Sequence, residues 1–438
     1  MKLLITWIGP WLDKGEAAML ISMGKMLRDK FPEIDITASA SSFQLENIDM
    51  IKYKRYGFSV MPGIFPSIFS TLPKPTGIRS KTLKILILLP PFLIKITGTI
   101  IWAILYKNLN IDAKLLVRGD ADIVKSYKES DCVIFCGGQN VTNLNINIII
   151  SFYEIVFSKM LGKPVMIWAN SLGPFKPEYI RPIVTHFINK VDIITTREET
   201  SKNCLDHIGV TAPSFVTADS AFVLPTVTPE EALSLIKREM ENPENRPMVG
   251  ITVIPWRFPG EINPDEKFED YLNAMAGAVD HIIEKLGAHV LFFPQVIVTN
   301  IKDDRPISRK VLNKVKNKTR VTVLTNDYSP EQLKGMYGLM SFLIGTRFHS
   351  CIFAQSMHVP TIAIEYDGHK ALGIMKLLGT DIYVCDINTI TSSELISKID
   401  EVWNNRDEIS QILGRNVKVM REKCMNNLSL AVEFLDLK

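Results

Sequence analysis

The stretch VIFCGGQNVTN, residues 133–143, reads as a buried β-strand that stops at a pair of glycines. Its β-branched and aromatic residues are followed by Gly137 and Gly138, and then by amide and hydroxyl side chains. Glycine lets the backbone approach another molecule closely, so this pattern is typical of a strand end beside a ligand. The simpler interpretation is turn chemistry, in which an asparagine caps the following helix. The amide groups that we expect to face the ligand belong to Gln139, Asn140 and Asn143.

The same alternation of short apolar runs and helical patterns extends along the chain in both directions. In the first half, the strand-like runs KLLITWI, DITAS, PVMIWANSLGP and DIITTREE are separated by helical segments. The second half repeats the pattern with MVGITVI, HVLFFPQ, FLIGTR and TIAIEY. Strands that alternate with helices indicate parallel sheets covered on both faces. We therefore predict two Rossmann-like α/β domains that face a cleft, with ligands at the carboxyl ends of the strands.

The predicted domain boundary lies in the polar, proline-bearing stretch TVTPEEALSLIKREMENPENRP, residues 226–247. We place the N-terminal domain at residues 1–225 and the C-terminal domain at residues 248–395. The remaining residues, 396–438, are expected to form a helix that packs back across the domains.

Composition supports two well-packed domains and excludes several classes of function. The chain has 438 residues, of which 46% are hydrophobic and 22% charged. Lys and Arg total 50 against 47 Asp and Glu, and no basic run is interleaved with aromatics, which argues against a nucleic-acid partner. The six cysteines are scattered without metal-ligand spacing, as in a reduced cytosolic protein. Nothing in the sequence indicates a metal ion or a cofactor.

One block departs from the average charge. Residues 52–111 contain no Asp or Glu but nine Lys and Arg, and they include the apolar run ILILLPPFLIKITGTIIWAILY at residues 85–106. The run is long enough to span a bilayer, but we expect Pro90-Pro91 to break its middle, and Lys95 lies near its centre. The least favoured interpretation is a membrane-spanning helix, and the other two are one or two buried helices of a large domain and an insertion that rests on anionic lipid. We favour the insertion on lipid, with the protein peripheral on the inner face of the plasma membrane.

The stretch LIGTRFHSCIFAQSMHVPTIAIEYDGHKALGIMKLLG, residues 343–379, gathers cationic side chains behind two successive strands. Arg347 and His349 follow the first strand, and Lys370 follows the second. A guanidinium, an imidazole and an ammonium at one edge of a sheet form an anion site, with phosphate and carboxylate as its natural ligands. The alternative is a set of separate surface salt bridges. We favour the anion site because the three side chains occur together.

These motifs resemble the signature of the polysaccharide pyruvyl transferase family, in particular its colanic-acid branch. The strongest part is GTRFHS, IAIEY, HK and GIMK, in that order. WIGPWLDKGEAAML, FCGGQN, ANSLGPF, REETSKNCLDHIGV, TADSAF and KDDR also follow the family's order, so the resemblance covers nearly the whole chain except residues 52–111. The first loop departs from the pattern, because Lys14-Gly15-Glu16 stands where Arg or Leu, Gly and Asp are usual.

The resemblance implies a GT-B-like pair of Rossmann-like domains and an enzyme that uses phosphoenolpyruvate as donor substrate without a cofactor. Family members transfer the enolpyruvyl unit to two hydroxyls of a sugar, which gives a cyclic pyruvate ketal and phosphate. By this resemblance Arg197, Arg347, His349 and Lys370 hold the donor. Arg257, at the end of the second domain's first strand, is a further donor candidate. We expect His349 and Arg347 to be catalytic, since imidazole titrates near neutral pH and cations stabilise a leaving phosphate.

The sugar acceptor is assigned to glycine turns and neutral amides of the first domain. The acceptor candidates are Gly15, Glu16, Gly137, Gly138, Gln139, Asn140, Asn143 and Asn170. Other candidate site residues are Gln295, Asp303, Asp304 and Glu365. Of these, Asp303 and Glu365 are alternatives to His349 as the acid that protonates the donor's methylene carbon.

A membrane-resting block implies that the acceptor is a polyprenyl-diphosphate-linked saccharide, a precursor of a bacterial surface polysaccharide, rather than a nucleotide sugar. Two other functions are compatible with the same sequence. One is a GT-B glycosyltransferase that uses a nucleotide sugar, with Glu365 on the ribose. The other is an inactive scaffold of a polysaccharide-synthesis complex.

Overall fold

The structure is a computed structural model that describes residues 1–40, 47–65, 68, 81–117, 120–139, 141–241, 245–298, 302–366 and 370–436. For residues 47–48, 81–88, 302 and 436 it describes the backbone alone. One predicted site residue, Asn140, lies outside the described residues.

The chain divides into two compact units. Unit 1 comprises Met1–Trp11, Met23–Asp219 and Met425–Lys438, and unit 2 comprises Leu12–Ser22 and Ser220–Cys424. Each unit contains one parallel sheet whose strands are wrapped by helices.

Unit 1 is built on a seven-stranded sheet with the order β3-β2-β1-β4-β5-β6-β7, and all of its neighbouring strands pair in parallel. β4 and β5 are buried at every position, which explains why their sequences are continuous apolar runs rather than alternating ones. The strands are β1 (Lys2–Thr6), β2 (Asp35–Ala40), β3 (Ser59–Pro62), β4 (Cys132–Phe135), β5 (Val165–Asn170), β6 (Ile193–Thr196) and β7 (Ser214–Val216).

Unit 2 is built on a six-stranded parallel sheet with the order β12-β9-β8-β13-β14-β15, and a two-stranded antiparallel ribbon, β10-β11, follows β9. In both sheets the order reverses beside the first strand, as in doubly wound folds. The strands are β8 (Met248–Thr252), β9 (His289–Phe292), β10 (Ile297–Val298), β11 (Lys302–Asp303), β12 (Val321–Val323), β13 (Phe342–Gly345), β14 (Thr361–Glu365) and β15 (Val384–Asp386).

Helices connect most successive strands, which confirms the predicted α/β alternation. The first seven are α1 (Lys14–Lys30), α2 (Asn47–Lys54), α3 (Lys81–Leu109), α4 (Ala121–Glu129), α5 (Ile146–Met160), α6 (Arg181–Ile188) and α7 (Glu199–His207). The next seven are α8 (Pro229–Glu239), α9 (Pro264–Lys285), α10 (Asp304–Lys314), α11 (Pro330–Tyr337), α12 (Phe348–Ser356), α13 (Lys370–Leu378) and α14 (Ser392–Asp436).

The units differ from the predicted domain boundaries at two places. The segment Leu12–Ser22, which contains the end of the first loop and the first half of α1, belongs to unit 2 although it lies inside the predicted N-terminal domain 1–225. Its backbone is tied to unit 2 by an antiparallel bridge from Asp13 to Val296, a tertiary contact that no local pattern reveals. The boundary near the middle of the chain lies between Asp219 and Ser220, before the predicted linker, and the linker contains α8.

The basic apolar block differs from its prediction in two respects. β3 lies within residues 52–111 and forms the edge of the unit 1 sheet, so the block is not wholly an insertion. The expectation that Pro90-Pro91 breaks the apolar run is wrong, because α3 continues through both prolines. The fixed φ of proline is compatible with a helix, and the local cost is the loss of two hydrogen bonds. Leu89–Leu109 is, among the described residues, the one helix long and apolar enough to cross a membrane, and 22% of that stretch is buried.

Candidate active site

The cationic turn after β13 lies at the switch point of the unit 2 sheet. β8 and β13 are neighbours where the strand order reverses, and the carboxyl ends of such strands form the ligand-binding edge of doubly wound folds. Arg347 and His349 stand directly after β13, at the start of α12. The sheet therefore places them where a ligand is expected.

Arg347 is held by a buried carboxylate, Asp304. Its Nε lies 3.2 and 3.1 Å from the two oxygens of Asp304, and its Nη2 lies 2.5 Å from Oδ1. Asp304 is fully buried and also accepts hydrogen bonds from the backbone N–H groups of Gln295 (3.1 Å) and Val296 (2.9 Å). Within the described residues, Nη1 of Arg347 has no hydrogen-bond partner. The pair thus orients the guanidinium and leaves one of its nitrogens available for a ligand.

The protonation states of this pair follow from burial and charge. Burial acts to lower the pKa of the Arg347 guanidinium, but the charge and hydrogen bonds of Asp304 outweigh it, so this pKa is raised above its ordinary value. Burial raises the pKa of Asp304, and Arg347 and two backbone N–H groups oppose that increase. Arg347 therefore stays charged and remains an anion-binding group.

The turn that carries Arg347 is fixed by buried hydroxyl groups. The Thr252 hydroxyl, at the end of β8, accepts hydrogen bonds from the backbone N–H groups of Thr346 (3.1 Å) and Arg347 (3.2 Å). It also lies 2.9 Å from the hydroxyl of Ser350, and the Thr346 hydroxyl lies 2.9 Å from that of Tyr271. The two central strands are thereby joined at their ligand-binding ends, and the turn is preorganised.

The first loop packs within unit 2 beside the segment that follows β9. The carbonyl oxygen of Leu12 accepts a hydrogen bond from the backbone N–H of Ile297 (2.9 Å), and the backbone N–H of Lys14 donates to the carbonyl of Gln295 (3.1 Å). Lys14 is 1% exposed, and its ammonium forms an ion pair with Asp327. In the sequence, Lys14 is visible only as a departure from the family's pattern, and no local signal points to Asp327 as its partner. In the structure, Lys14 is a buried anchor of this loop.

Gly15 and Glu16, predicted to bind the acceptor, begin α1 in unit 2. Asp13 Oδ1 accepts hydrogen bonds from the backbone N–H groups of Gly15 (3.2 Å) and Glu16 (3.3 Å). A Cβ placed on Gly15 would overlap the His349 ring and would lie 2.7 Å from His349 Cβ, closer than real carbon atoms approach. Glycine is therefore required at position 15 because the backbone packs directly on His349, whose Nε2 is shielded from solvent.

Gln295 connects the first loop to Asp304. Its backbone N–H donates to Asp304 and its backbone carbonyl accepts from Lys14. Its side chain is 2% exposed, and its Oε1 accepts a hydrogen bond from the Tyr337 hydroxyl (3.0 Å). Its Nε2 has no hydrogen-bond partner among the described residues. A buried amide donor without a partner is unusual enough to mark a site for an acceptor group.

Lys370 begins α13 and lines a small cavity of about 10 Å³ together with Thr346, Phe348 and Tyr366. The structure therefore brings Lys370 close to the turn after β13, as the sequence predicts. Glu365 lines the same cavity, but its carboxylate accepts hydrogen bonds from the backbone N–H groups of residues 371 (2.7 Å) and 372 (3.1 Å). Glu365 therefore acts as a cap for the N-terminus of α13.

Asp303, the residue before Asp304, caps a helix and forms an ion pair. Its Oδ1 accepts a hydrogen bond from the backbone N–H of Arg305 (2.9 Å), which caps α10, and its carboxylate pairs with the Arg305 guanidinium at 2.7 Å. Of the two adjacent aspartates, Asp304 is therefore the one that reaches Arg347.

Arg257 is exposed and follows β8 rather than β13. It lines a separate, open cavity with Trp256, Phe268 and Lys310. The structure thus places Arg257 at the same edge of the unit 2 sheet but not among the residues that line the cavity of Lys370.

Arg197 belongs to unit 1, where it lies in a buried polar network. Its Nη1 pairs with Asp219 at 2.7 Å, its Nε donates to the Ser171 hydroxyl at 2.6 Å, and Glu198 lies 3.5 Å away. Arg197 is 2% exposed, and these contacts occupy several of the N–H groups of its guanidinium. Asp219 lies in the TADSAF motif, but the sequence did not identify it as the partner of Arg197.

The predicted acceptor residues of unit 1 lie at the ends of β4 and β5. Asn170 is fully buried, and its Nδ2 donates to the carbonyl of Cys136 (3.0 Å). Gly138 accepts a backbone hydrogen bond from Ser171 (3.0 Å), so the glycine turn is tied to β5. Gly137 is buried and Gln139 is half-buried in the same turn. Asn143 accepts from the backbone N–H of Lys176 (2.9 Å), and the asparagine that caps α5 is Asn145.

Comparisons with known proteins identify the family. The model of the family described as "Polysaccharide pyruvyl transferase" matches residues 14–368, which include the first loop and the turn after β13. The amylovoran biosynthesis protein AmsJ of Erwinia amylovora is 27% identical over 331 residues, which cover 74% of this chain and 75% of AmsJ.

Comparisons with solved structures support the fold. HepE of Anabaena, in complex with UDP-glucose, has a TM-score of 0.58 at 13% identity, with all of both chains covered. UGT73P12 of Glycyrrhiza uralensis has a TM-score of 0.56 at 9% identity, with 100% of this chain and 96% of the other covered. The UDP-GlcNAc 2-epimerase of Methanocaldococcus jannaschii has a TM-score of 0.53 at 12% identity, with 92% and 93% covered. These likenesses confirm a GT-B-like fold.

The family model spans most of the chain and both units, and it contains the Arg347, His349 and Gly15 positions whose packing is described above. The chain therefore belongs to the polysaccharide pyruvyl transferase family, and it is a transferase.

Proposed function

We propose that this protein transfers the enolpyruvyl group of phosphoenolpyruvate to a sugar of a bacterial surface-polysaccharide precursor, which forms a pyruvate ketal and releases phosphate. The acceptor is proposed to be a polyprenyl-diphosphate-linked saccharide. Family membership and the likeness to an amylovoran biosynthesis protein support the pyruvyl transfer role. The observation that carries the donor assignment is the preorganised turn of Arg347 and His349 at the switch point of unit 2.

Phosphoenolpyruvate carries a carboxylate and a phosphate, so its site needs oriented cations. Arg347 is fixed by Asp304 with Nη1 available, and Lys370 lies at the neighbouring cavity. Cations that are held in place before the reaction stabilise developing charge more effectively than mobile ones. The buried Nε2 of Gln295 is a neutral donor suited to a carboxylate or phosphate oxygen.

In the proposed reaction, the methylene carbon of phosphoenolpyruvate gains one proton, and the two sugar hydroxyls lose one proton each. An acid donates a proton to the methylene carbon, and the adjoining carbon becomes an oxocarbenium-like centre. One sugar hydroxyl adds there and gives its proton to a base. The C–O bond to phosphate then breaks, and the second hydroxyl adds and loses its proton. Of the two hydroxyl protons, one in net terms ends on the new methyl group and the other on phosphate.

His349 is the proposed acid and base. An imidazole changes its protonation near neutral pH, so one side chain can donate a proton in one step and accept one in the next. The backbone of Gly15 packs against its ring and fixes the ring position. Asp303 and Glu365 are engaged with backbone N–H groups at the starts of α10 and α13, which favours His349 over either of them.

The experiment that tests this function supplies phosphoenolpyruvate together with a set of saccharides on polyprenyl diphosphate and follows phosphate release. We expect phosphate release that depends on the saccharide, and a product whose mass increases by a pyruvate ketal. In D₂O the methyl group of the product carries one deuterium, because the methylene carbon takes a solvent-derived proton. A nucleotide-sugar transferase would instead release UDP from UDP-glucose, and an inactive scaffold would release neither product.

We also propose that α3 rests on the surface of an anionic membrane. One face of this helix exposes an apolar stripe that contains Leu93 (51% exposed), Ile94 (72%), Ile101 (42%) and Ile104 (45%). Leu93 and Ile94 are adjacent, and Ile101 and Ile104 follow seven and three residues later, so at 3.6 residues per turn the four positions lie within an arc of about 100° on one side of the helix. Such a stripe suits a helix that lies in the plane of the headgroup region.

The opposite face of α3 belongs to the core of unit 1. Trp102 is 1% exposed, stacks on Tyr106 at 5.3 Å and donates to Asp112. Lys95 pairs with the buried Asp120 at 3.1 Å, so its charge is directed toward the protein. A helix anchored along one side in this way favours resting on a bilayer over crossing it. The absence of Asp and Glu from residues 52–111 makes the charge of this region complementary to anionic lipid.

Flotation with liposomes of phosphatidylcholine and phosphatidylglycerol tests the membrane proposal. The double variant Ile94→Glu/Ile101→Glu is expected to lose most of its flotation, because both changes bring negative charge to the lipid-facing stripe. Ile262→Glu is the matched control, since Ile262 is 94% exposed on unit 2. Equal flotation of the double variant and the control would rule out α3 as the contact.

A further inference from the structure

A second cavity lies at the ligand-binding edge of unit 2, after β8. It has a volume of about 450 Å³, within the range of small-molecule sites. β8 adjoins β13 at the reversal of strand order, so the cavity shares the switch point with Arg347. The lining side chains that matter below are Trp256, Arg257, Asp265, Phe268 and Lys310.

The cavity is lined by two cations and one carboxylate, so the net charge of its lining is positive. Arg257 and Lys310 form no ion pair with any described residue, and Lys310 lies over the Phe268 ring with its Nζ 5.4 Å from the ring centroid. Asp265 lines the same cavity and offsets one of the two charges. By contrast, Arg347 is paired with a buried aspartate. An excess of unpaired positive charge in a concave site attracts an anionic ligand.

Two aromatic rings give the cavity an apolar side. Trp256 and Phe268 are half-buried, and each leaves part of its ring exposed to the cavity. Trp256 packs edge-to-face on Tyr366 with ring centroids 5.0 Å apart, and Tyr366 lines the cavity of Lys370. The two cavities are therefore neighbours, separated by this aromatic pair. A ligand that fits both features has an anionic part and a ring with apolar faces.

We propose that this cavity binds the glycosyl diphosphate end of the acceptor. Arg257 and Lys310 bind the phosphate oxygens, Trp256 and Phe268 contact the apolar face of the sugar, and Asp265 accepts hydrogen bonds from its hydroxyls. This inference rests on the proposed function and goes beyond it by assigning the acceptor a site next to the cavity that Lys370 lines. A diphosphate held here leaves the attached saccharide beside the Trp256–Tyr366 pair and close to Lys370.

Calorimetric titration of the full-length protein tests the proposal with three probes: inorganic pyrophosphate, glucosyl farnesyl diphosphate and UDP-glucose. We expect saturable binding of at least one glycosyl diphosphate, weakened about tenfold or more in Arg257→Ala and in Lys310→Ala. Lys285→Ala is the matched control, because it removes one exposed positive charge from the other end of α9. Its affinity is expected to equal that of the unsubstituted protein. Thermal unfolding of each variant confirms that the fold is retained.

The outcomes distinguish a lipid-linked from a nucleotide-linked diphosphate. They also separate failure of this binding site from failure of the proposed reaction. Binding of the farnesyl probe alone supports a lipid-linked acceptor, and binding of UDP-glucose supports the same site with a nucleotide-linked one. Equal affinity in all variants, or no saturable binding of any probe, overturns the assignment. If the diphosphate binds and the two substitutions weaken it, but phosphoenolpyruvate yields no phosphate, the site stands while the proposed reaction fails.

Discussion

The backbone of Gly15 lies against the imidazole of His349, so closely that a single added carbon at position 15 would overlap the ring. Gly15→Ala is therefore expected to displace His349 and to lower kcat about 100-fold, the scale of general acid–base catalysis, with a smaller change in the KM for phosphoenolpyruvate. Gly414→Ala is the control, because nothing lies within 4 Å of a Cβ placed at that site. Steady-state kinetics measures kcat and the KM for phosphoenolpyruvate in each variant. Full activity in Gly15→Ala would show that the ring position does not matter.

Arg347 depends on Asp304 for its orientation, and Asp304→Asn tests this dependence. The substitution leaves a buried guanidinium without its charge partner, so we expect a loss of about 3–5 kcal/mol in the free energy of unfolding and a large fall in kcat. Asp303→Asn is the matched control, since it affects a partly exposed pair with Arg305 and is expected to cost about 1 kcal/mol or less. Denaturant unfolding and phosphate release are the measurements. Similar effects of the two substitutions would contradict the account.

We expect the free energy of unfolding to depend on pH because of the buried residue Glu154. Its carboxyl group is fully buried in unit 1, and burial raises its pKa from 4.5 to about 8, although Thr6 and Trp7 lie close enough to oppose this. The folded state therefore binds a proton that the unfolded state releases between pH 4.5 and about 8. The free energy of unfolding should fall as pH rises through this window.

Glu154→Gln should remove that fall and raise the free energy of unfolding at pH 8 by roughly 4 kcal/mol. Glu178→Gln is the control, since its side chain is 78% exposed. Urea unfolding between pH 5 and pH 8 provides the measurement. If the Glu154→Gln protein keeps the same slope as the control, the buried carboxyl is not the titrating group.

Asn427 fixes the end of α14 to unit 1. Its Oδ1 accepts hydrogen bonds from the hydroxyls of Thr195 (2.6 Å) and Thr217 (2.8 Å), and its Nδ2 donates to the carbonyl of Ala218 (3.1 Å). Asn427→Leu removes these three hydrogen bonds and leaves the buried Ala218 carbonyl without this donor, whereas the Thr195 and Thr217 hydroxyls keep backbone carbonyl acceptors. We expect a loss of about 1–3 kcal/mol in unfolding free energy and faster amide exchange in residues 425–436. Asn405→Leu, on the exposed part of the same helix, is the control. Equal stability of the two variants would show that the contacts contribute little.

Much of the fold was predictable because it depends on local patterns. The buried strands, such as β4 and β5, are continuous apolar runs that end in polar or glycine residues, and their order follows the alternation with helices. The turn of Arg347 and His349 was found for the same reason, since it directly follows a strand. The continuation of α3 through Pro90-Pro91 was not predicted, because proline is a strong local signal that tertiary packing outweighed here.

The partners of the site residues were harder to predict because they come from distant segments. Asp304 was one of several candidate acids, and only the folded chain shows that it reaches Arg347 while Asp303 does not. Lys14 departs from the family's pattern in the first loop. In the structure it is buried and forms an ion pair with Asp327, which holds the loop within unit 2. These contacts join residues that are 43 and 313 positions apart in the chain, and such distances leave no periodicity or spacing in the sequence that would reveal them.

A crystal structure of the protein with bound phosphoenolpyruvate would locate the donor site directly. We expect a carboxylate or phosphate oxygen of the donor within about 3.2 Å of Arg347 Nη1, with Asp304 still paired to the guanidinium and His349 beside the methylene carbon. Phosphoenolpyruvate bound elsewhere, with no contact to Arg347, His349 or Lys370, would contradict this expectation.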